Sequence, residues 1–234
     1  VIAACAMLAA CFDVREEVWV EPDGRGRAEL RYTVPESALM LGGGAAGLEE
    51  KIRTLIARQP SLKLDAVSVT AKDDRAVVAV DVSTDSVLSL RKLKKSDDLK
   101  SMPESTADIA GHFDVHVRGL DVDFSRSIHV GEALGLASLV IGGTERKDRR
   151  LTYIIHLPKP AKEHNATRTD NAGKTLVWDY TLGEALKQPF TTHFRAAIPL
   201  PSYVWFIACG LLLSIAALVI HWGRKLRRRR AAQG

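Results

Sequence analysis

The sequence predicts an α+β fold: a largely antiparallel sheet of hairpins with two or three packed helices, plus one C-terminal transmembrane helix. Three observations carry this expectation. Paired segments alternate apolar and polar residues on either side of turn residues, the period of half-buried strands. Leu48, Ile52, Leu55 and Ile56 recur at the spacing of one helix face. Residues 203–222, YVWFIACGLLLSIAALVIHW, form an uncharged run. About 20 residues at 1.5 Å rise span roughly 30 Å, the thickness of a bilayer's hydrocarbon core.

From the N-terminus, residues 1–10 (VIAACAMLAA) are an apolar stretch with neither an initiator Met nor a basic flank, the remnant of a signal peptide. Val14, Val18 and Val20 then alternate with charged positions, Pro22-Asp23-Gly24 marks a turn, and Ala28, Leu30, Tyr32 and Val34 alternate again. That pattern is a hairpin with one buried face. The glycine-rich 42–44 stretch precedes the expected helix, and Pro60 follows it. A second hairpin runs through Val67 and Val69, turns at Asp73-Asp74 and returns through Val78, Val80 and Val82. Ser83 or Thr84 then caps a helix carrying Val87, Leu88 and Leu93, which gives way to the charged loop KLKKSDDLKS.

Phe113, Val115 and Val117 face one way and pair, through Gly119-Leu120, with a strand carrying Val122, Phe124, Ile128 and Val130. Further strands are expected near 150–157, 174–179 and 190–198, separated by ERKDRR and the Asp170-Asn171-Ala172-Gly173 turn. The segment 131–143 reads equally as a helix or as a buried apolar loop. Hairpins with interspersed helices, lacking regular βαβ alternation, give the α+β class.

At the C-terminus, Tyr203, Trp205 and Trp222 stand where interfacial aromatic belts lie, and a basic cluster beginning with Arg224 and Lys225 follows on one side only. The positive-inside rule then places residues 11–200 as an extracytoplasmic domain, 201–223 as the membrane span and 224–234 as a basic cytoplasmic tail. The expected location is a bacterial cytoplasmic membrane, with membrane lipid as an immediate partner. Gly210-x-x-x-Ser214 permits close helix approach and hence a weak homodimer through the span.

The formal net charge is +5, but six of the 33 basic side chains lie in the tail. The rest of the chain carries 27 basic residues against 28 acidic ones. Such a balance lacks the electrostatic footprint of a polyanion binder, so nucleic acid is not an expected partner. Cys5, Cys11 and Cys209 are the only cysteines. Residues 12–202 therefore have no disulfide, thiol nucleophile or Cys-ligated zinc.

Gly42, Gly44 and Gly47 fit G-x-G-x-x-G, but no strand leads into them and Asp65 begins a strand instead of ending one, so no dinucleotide site is expected. His112 and His116 on one strand stand ~13 Å apart, too far to share an ion. A two-residue II′ turn at Gly119-Leu120 instead sets Arg118 opposite Asp121, His116 opposite Asp123 and Asp114 opposite Ser125. His116, Asp123 and Asp114 are thus the exploratory ligand site, weighed against ordinary cross-strand pairing. Asp121 and Asp123, neighbours on one strand face, leave no cleft for a glycosidase. No G-x-S-x-G, H-E-x-x-H or G-x-x-x-x-G-K-[ST] pattern occurs. Trp178 is expected to anchor the core.

Leu8-Ala9-Ala10-Cys11 resembles the bacterial lipobox, which implies diacylglycerol on Cys11; Ile2-Ala3-Ala4-Cys5 fits the same short pattern. With Cys11, an ectodomain of this length, the late segment Gly173-Lys174-Thr175-Leu176-Val177-Trp178 and the terminal apolar run, the chain resembles the LppM-type bacterial lipoproteins. The resemblance implies an envelope protein with a lipid-facing or lipid-binding ectodomain and no catalysis. The expected function is therefore a non-enzymatic, cofactor-free lipoprotein binding an envelope lipid, glycolipid or protein partner. An assembly or sensing component of an envelope complex is the alternative, and an extracytoplasmic hydrolase with a non-standard site the second.

Overall fold

The computed structural model describes residues 13–36, 39, 43–72, 74–89, 112–131, 143–198, 209, 210 and 214. The chain divides into two compact units, residues 1–199 and 200–234. In the second, Cys209, Gly210 and Ser214 are helical, and the Ser214 hydroxyl donates to the Gly210 carbonyl at 2.8 Å.

The first unit begins as its alternation dictates. Strand β1 (Asp13–Val20) pairs antiparallel with β2 (Gly26–Pro35), Val14 opposite Tyr32 and Val18 opposite Ala28. Helix α1 (Gly44–Ala57) follows, then β3 (Lys63–Lys72) and β4 (Arg75–Thr84). The second part contributes β5 (His112–Arg118), β6 (Asp121–Ile128), α2 (Gly143–Asp148), β7 (Arg150–His156), β8 (Glu163–His164), β9 (Arg168–Asp170), β10 (Thr175–Thr181), α3 (Leu182–Ala185) and β11 (Phe190–Ala197).

These strands form two sheets. The seven-stranded sheet has the order β3-β4-β2-β1-β7-β10-β9, and the four-stranded sheet the order β5-β6-β11-β8. All pairs are antiparallel except β1 with β7, where Val14 stands beside Leu151 and Val18 beside Ile155. One face of the large sheet is covered twice. Its β1-β7-β10 half meets the inward residues of β6 and β11, burying Val14, Leu151, Tyr153, Leu176 and Trp178 against Ile128, Phe190, Phe194 and Ala196. Its β2-β4-β3 half is covered by α1, whose Leu48, Ile52 and Ile56 lie over Val69, Ala76, Val78 and Val80. Trp178 is fully buried, as an anchor must be, and its indole N–H donates to Asn165 Oδ1 at 2.8 Å.

The α+β expectation is corrected by this architecture. The described chain is mostly β, with two packed sheets and three short helices, of which only α1 exceeds two turns. Local periodicity identified the hairpins but not the stacking of one sheet on another, because inter-sheet contacts leave no periodic signal of their own. Over its described part the expected helix after Ser83-Thr84 is also replaced: Thr84 ends β4, and a 3₁₀ turn at residues 87–89 follows, while Leu93 lies outside the described residues. The transmembrane helix is corrected too, since no helix among the described residues is long and apolar enough to cross a membrane. Most of the 201–223 segment lies outside the described residues, as do the signal peptide and the basic tail.

Candidate functional site

The β5–β6 hairpin carries the residues singled out from sequence, and its turn explains their placement. Gly119 has φ 62, while Leu120 does not enter positive φ, the backbone of a II′ turn. The register follows: Arg118 opposite Asp121, His116 opposite Asp123, Asp114 opposite Ser125. The N–H of Ile198, just past β11, donates to Leu120 O at 2.8 Å and pins the turn to the sheet.

Because side chains alternate, this hairpin has two unlike faces. The outward face holds Asp114, His116 and Asp123 together, but each carboxylate is engaged by another group. His116 Nε2 lies 2.8 Å from Asp114 Oδ2 on its own strand, not against Asp123. Asp123 Oδ1 lies 2.9 Å from His193 Nε2 on β11, and its Oδ2 lies 3.8 Å from the Arg118 guanidinium. Lys162 donates to both oxygens of Asp121 at 2.6 and 2.7 Å, and Arg195 pairs with Glu163. His116 is 61% exposed at its side chain, so this is an open lattice of ion pairs rather than a cleft. No group of three or more His, Cys, Asp or Glu side chains able to hold a metal occurs among the described residues.

The inward face is apolar and incompletely covered. Phe113, Val117 and Leu120 are 40%, 39% and 65% exposed, although the first two belong to the core-facing side of their strand. Below Phe113 the aromatic packing continues inward, Phe113 to Phe124 at 6.3 Å between ring centroids and Phe124 to Phe194 at 5.1 Å.

At the foot of this apolar rim lies a buried ion pair that the sequence reading missed. Arg126 NH1 donates to Glu16 Oε2 at 2.5 Å, both side chains being less than a tenth exposed. The Tyr32 hydroxyl donates to the other Glu16 oxygen at 2.8 Å. The guanidinium also lies over Phe113 at 4.8 Å and Tyr153 at 5.0 Å, so aromatic faces share in solvating the charge. Burial opposes the Arg126 charge, but the Glu16 carboxylate together with the Tyr153 and Tyr32 phenols outweighs it and raises the guanidinium pKa further. Burial, and then the same carboxylate, raises the Tyr32 phenol well above its ordinary value, and Tyr153 is raised for the same two reasons. A signal for this pair was present. Glu16 shares strand parity with Val14 and Val18, and Arg126 with Phe124 and Ile128, so opposite charges stood on two apolar faces.

Elsewhere the open face of the large sheet carries a stacked column across three strands. The Arg27 guanidinium lies 3.7 Å from the Trp19 ring centre, and His156 stacks on Trp19 at 5.1 Å. His156 Nε2 also meets Glu17 Oε1 at 2.8 Å. Burial pushes the Glu17 pKa up, but hydrogen bonds from His156 and Arg15 outweigh it and lower it overall. A cleft of about 220 Å³ is lined by Asn165, Tyr180, Glu184, Gln188 and Phe190. It falls below the roughly 300 Å³ at which small-molecule sites begin. Cys11, Tyr203, Trp205, Trp222, Arg224 and Lys225 lie outside the described residues.

Among known proteins, no family model and no curated protein matches the chain. Among solved structures, it is similar to the NMR structure of the folded domain of LppM from Mycobacterium tuberculosis, with a TM-score of 0.46 and 17% sequence identity. The match covers 80% of this chain and 89% of that one. A TM-score below 0.5 gives this likeness no weight for fold or residue roles.

Proposed function

We propose that this chain is a bacterial envelope lipoprotein whose β-sandwich is a non-catalytic receptor for the acyl part of an envelope lipid or glycolipid. The observation that carries the reading is the apolar rim of the β5–β6 hairpin, where Phe113 and Val117 on the core-facing side and Leu120 in the turn stay exposed. Apolar side chains grouped at the mouth of a core favour an apolar occupant, because covering them removes hydrocarbon surface from water at roughly 25 cal/mol per Å². The lipobox-like Leu8-Ala9-Ala10-Cys11 supports placement beside a membrane, where such an occupant is at hand.

Mass spectrometry of organic extracts from the full-length protein, purified from membranes in mild detergent, tests the proposal. A co-purifying amphiphile is expected, with its yield falling severalfold in Leu120→Asp. Protein free of amphiphile, or an equal yield from that variant, overturns the lipid reading. A fixed protein adduct purified in its place moves the function to an assembly component. Intact mass of the same preparation should give a diacylglyceryl adduct that Cys11→Ser abolishes.

A further inference from the structure

The sheet edges of this molecule are not equally protected. An exposed edge strand offers a row of backbone N–H and C=O groups to any second strand, and proteins blunt such edges with lysines, brevity, bulges or covering elements. On β3, Lys63 and Lys72 stand at the two ends and the register slips between Leu64 and Ala66. Glu49 of α1 accepts the outer Val69 N–H at 2.8 Å. On the far side of the same sheet, β9 is three exposed residues, and in the second sheet β8 is two. Among the described residues, strand β5 has none of these devices. It runs seven residues, HFDVHVR, without Lys, Pro or a register break, and no described strand lies beyond it.

The II′ turn also fixes which backbone groups point outward. A two-residue hairpin closes on Arg118 and Asp121 as a hydrogen-bonded pair, so Arg118, His116 and Asp114 bond toward β6. The N–H and C=O groups of Phe113, Val115 and Val117 therefore point to the open edge.

We propose that this edge is a homodimer interface in which β5 of two copies pairs antiparallel about a two-fold axis through Val115, joining the two four-stranded sheets into one. From Phe113 to Val117 the sequence is self-complementary about that residue, while His112 meets the partner's Arg118 at the two ends. Val115 meets the partner's Val115 as a hydrogen-bonded pair, using the outward groups. Phe113 meets the partner's Val117 on the inward face, bringing together two side chains that are 40% and 39% exposed in the single copy. On the outward face Asp114 meets the partner's His116, and His116 the partner's Asp114, carboxylate against imidazole at both ends. Displacing the register by two residues shortens the ladder and sets Asp114 against Asp114 in one direction or His116 against His116 in the other, the latter also bringing Asp114 opposite Arg118. An isologous two-fold contact of this kind is the commonest route to a closed dimer. Its Phe113–Val117 contacts draw on two of the three apolar side chains of the proposed lipid rim, so the dimer and an acyl chain meet there, whereas the backbone ladder and the Asp114–His116 contacts belong to the dimer alone.

Sedimentation velocity of the full-length chain in density-matched detergent tests this with two charge variants. His116→Asp puts two carboxylates at each contact, and Asp114→Lys/His116→Lys puts two ammonium groups there. Each alone is expected to weaken dimerisation by about tenfold or more, and an equimolar mixture to form a heterodimer. Unchanged near-ultraviolet circular dichroism in each variant shows that the fold survives. A monomeric wild-type chain, variants that self-associate like wild type, or a mixture that stays monomeric overturns the proposal. So does a dimer indifferent to β5 but lost in Gly210→Leu, which assigns association to the C-terminal apolar run.

Discussion

At the scale of single residues, the most consequential feature is the charge inside the sandwich. Breaking a buried pair leaves the other charge desolvated, whereas replacing both with apolar groups removes the penalty. Arg126→Met is therefore expected to lower unfolding free energy by about 3 to 5 kcal/mol. Glu16→Leu combined with Arg126→Met should recover most of that loss, with denaturant titration followed by Trp178 fluorescence as the measurement. A double variant no more stable than the single would mean that the pair does more than neutralise itself. The phenols above the pair set an alkaline limit. Tyr32 and Tyr153 have raised folded-state pKa values, so their contribution is intact below the unfolded value near 10 and is lost as pH rises toward the folded values. Unfolding free energy should fall above about pH 10 by up to ~1.4 kcal/mol per pH unit for each tyrosine. A flat profile from pH 9 to 11 would contradict this. Strand parity made Glu16 and Arg126 legible as misplaced charges, yet their partnership was not, because 110 residues separate them.

At the scale of elements, turns and alternation were the reliable signals. The β5–β6 register follows from one glycine and a two-residue loop, and the first two hairpins from side-chain period alone. The stretch after Thr84 was read as a helix because Val87 and Leu88 are apolar and Ser83 and Thr84 are good caps. In the structure the Thr84 hydroxyl exchanges hydrogen bonds with Ser86, and the Val87 N–H donates to Gly24 O at 2.9 Å, folding the turn onto the β1–β2 loop. Gly26 sits beneath that turn, and a Cβ there would stand 2.7 Å from Val87 Cγ1 and 3.2 Å from Thr84 Cγ2. Gly26→Ala is expected to cost about 1 to 3 kcal/mol by overpacking. Gly26→Ala combined with Val87→Ala should regain part of it in the same unfolding titration, whereas an additive loss would place the strain elsewhere.

At the scale of the whole molecule, the proposed activities share Phe113 and Val117 on the inward face of one hairpin and part at Leu120 and at the outward Asp114 and His116. The turn variant Leu120→Asp should lose the amphiphile and keep the dimer, and the outward variant His116→Asp should do the reverse. Co-purification and sedimentation on the same two preparations check that separation. Among the described residues the second sheet ends in β5, which leaves the hairpin edge to both. By itself the sequence determined the strands other than β8 and β9, the β5–β6 register, the position of α1 and the burial of Trp178, all consequences of side-chain period and turn chemistry acting over a few residues. Only the tertiary structure decided that β7 lies parallel to β1, that the strands sort into two stacked sheets, and that Glu16 faces Arg126. Those choices are made by surfaces distant in the chain burying one another, and the free energy of that burial depends on shape and area that no local pattern encodes.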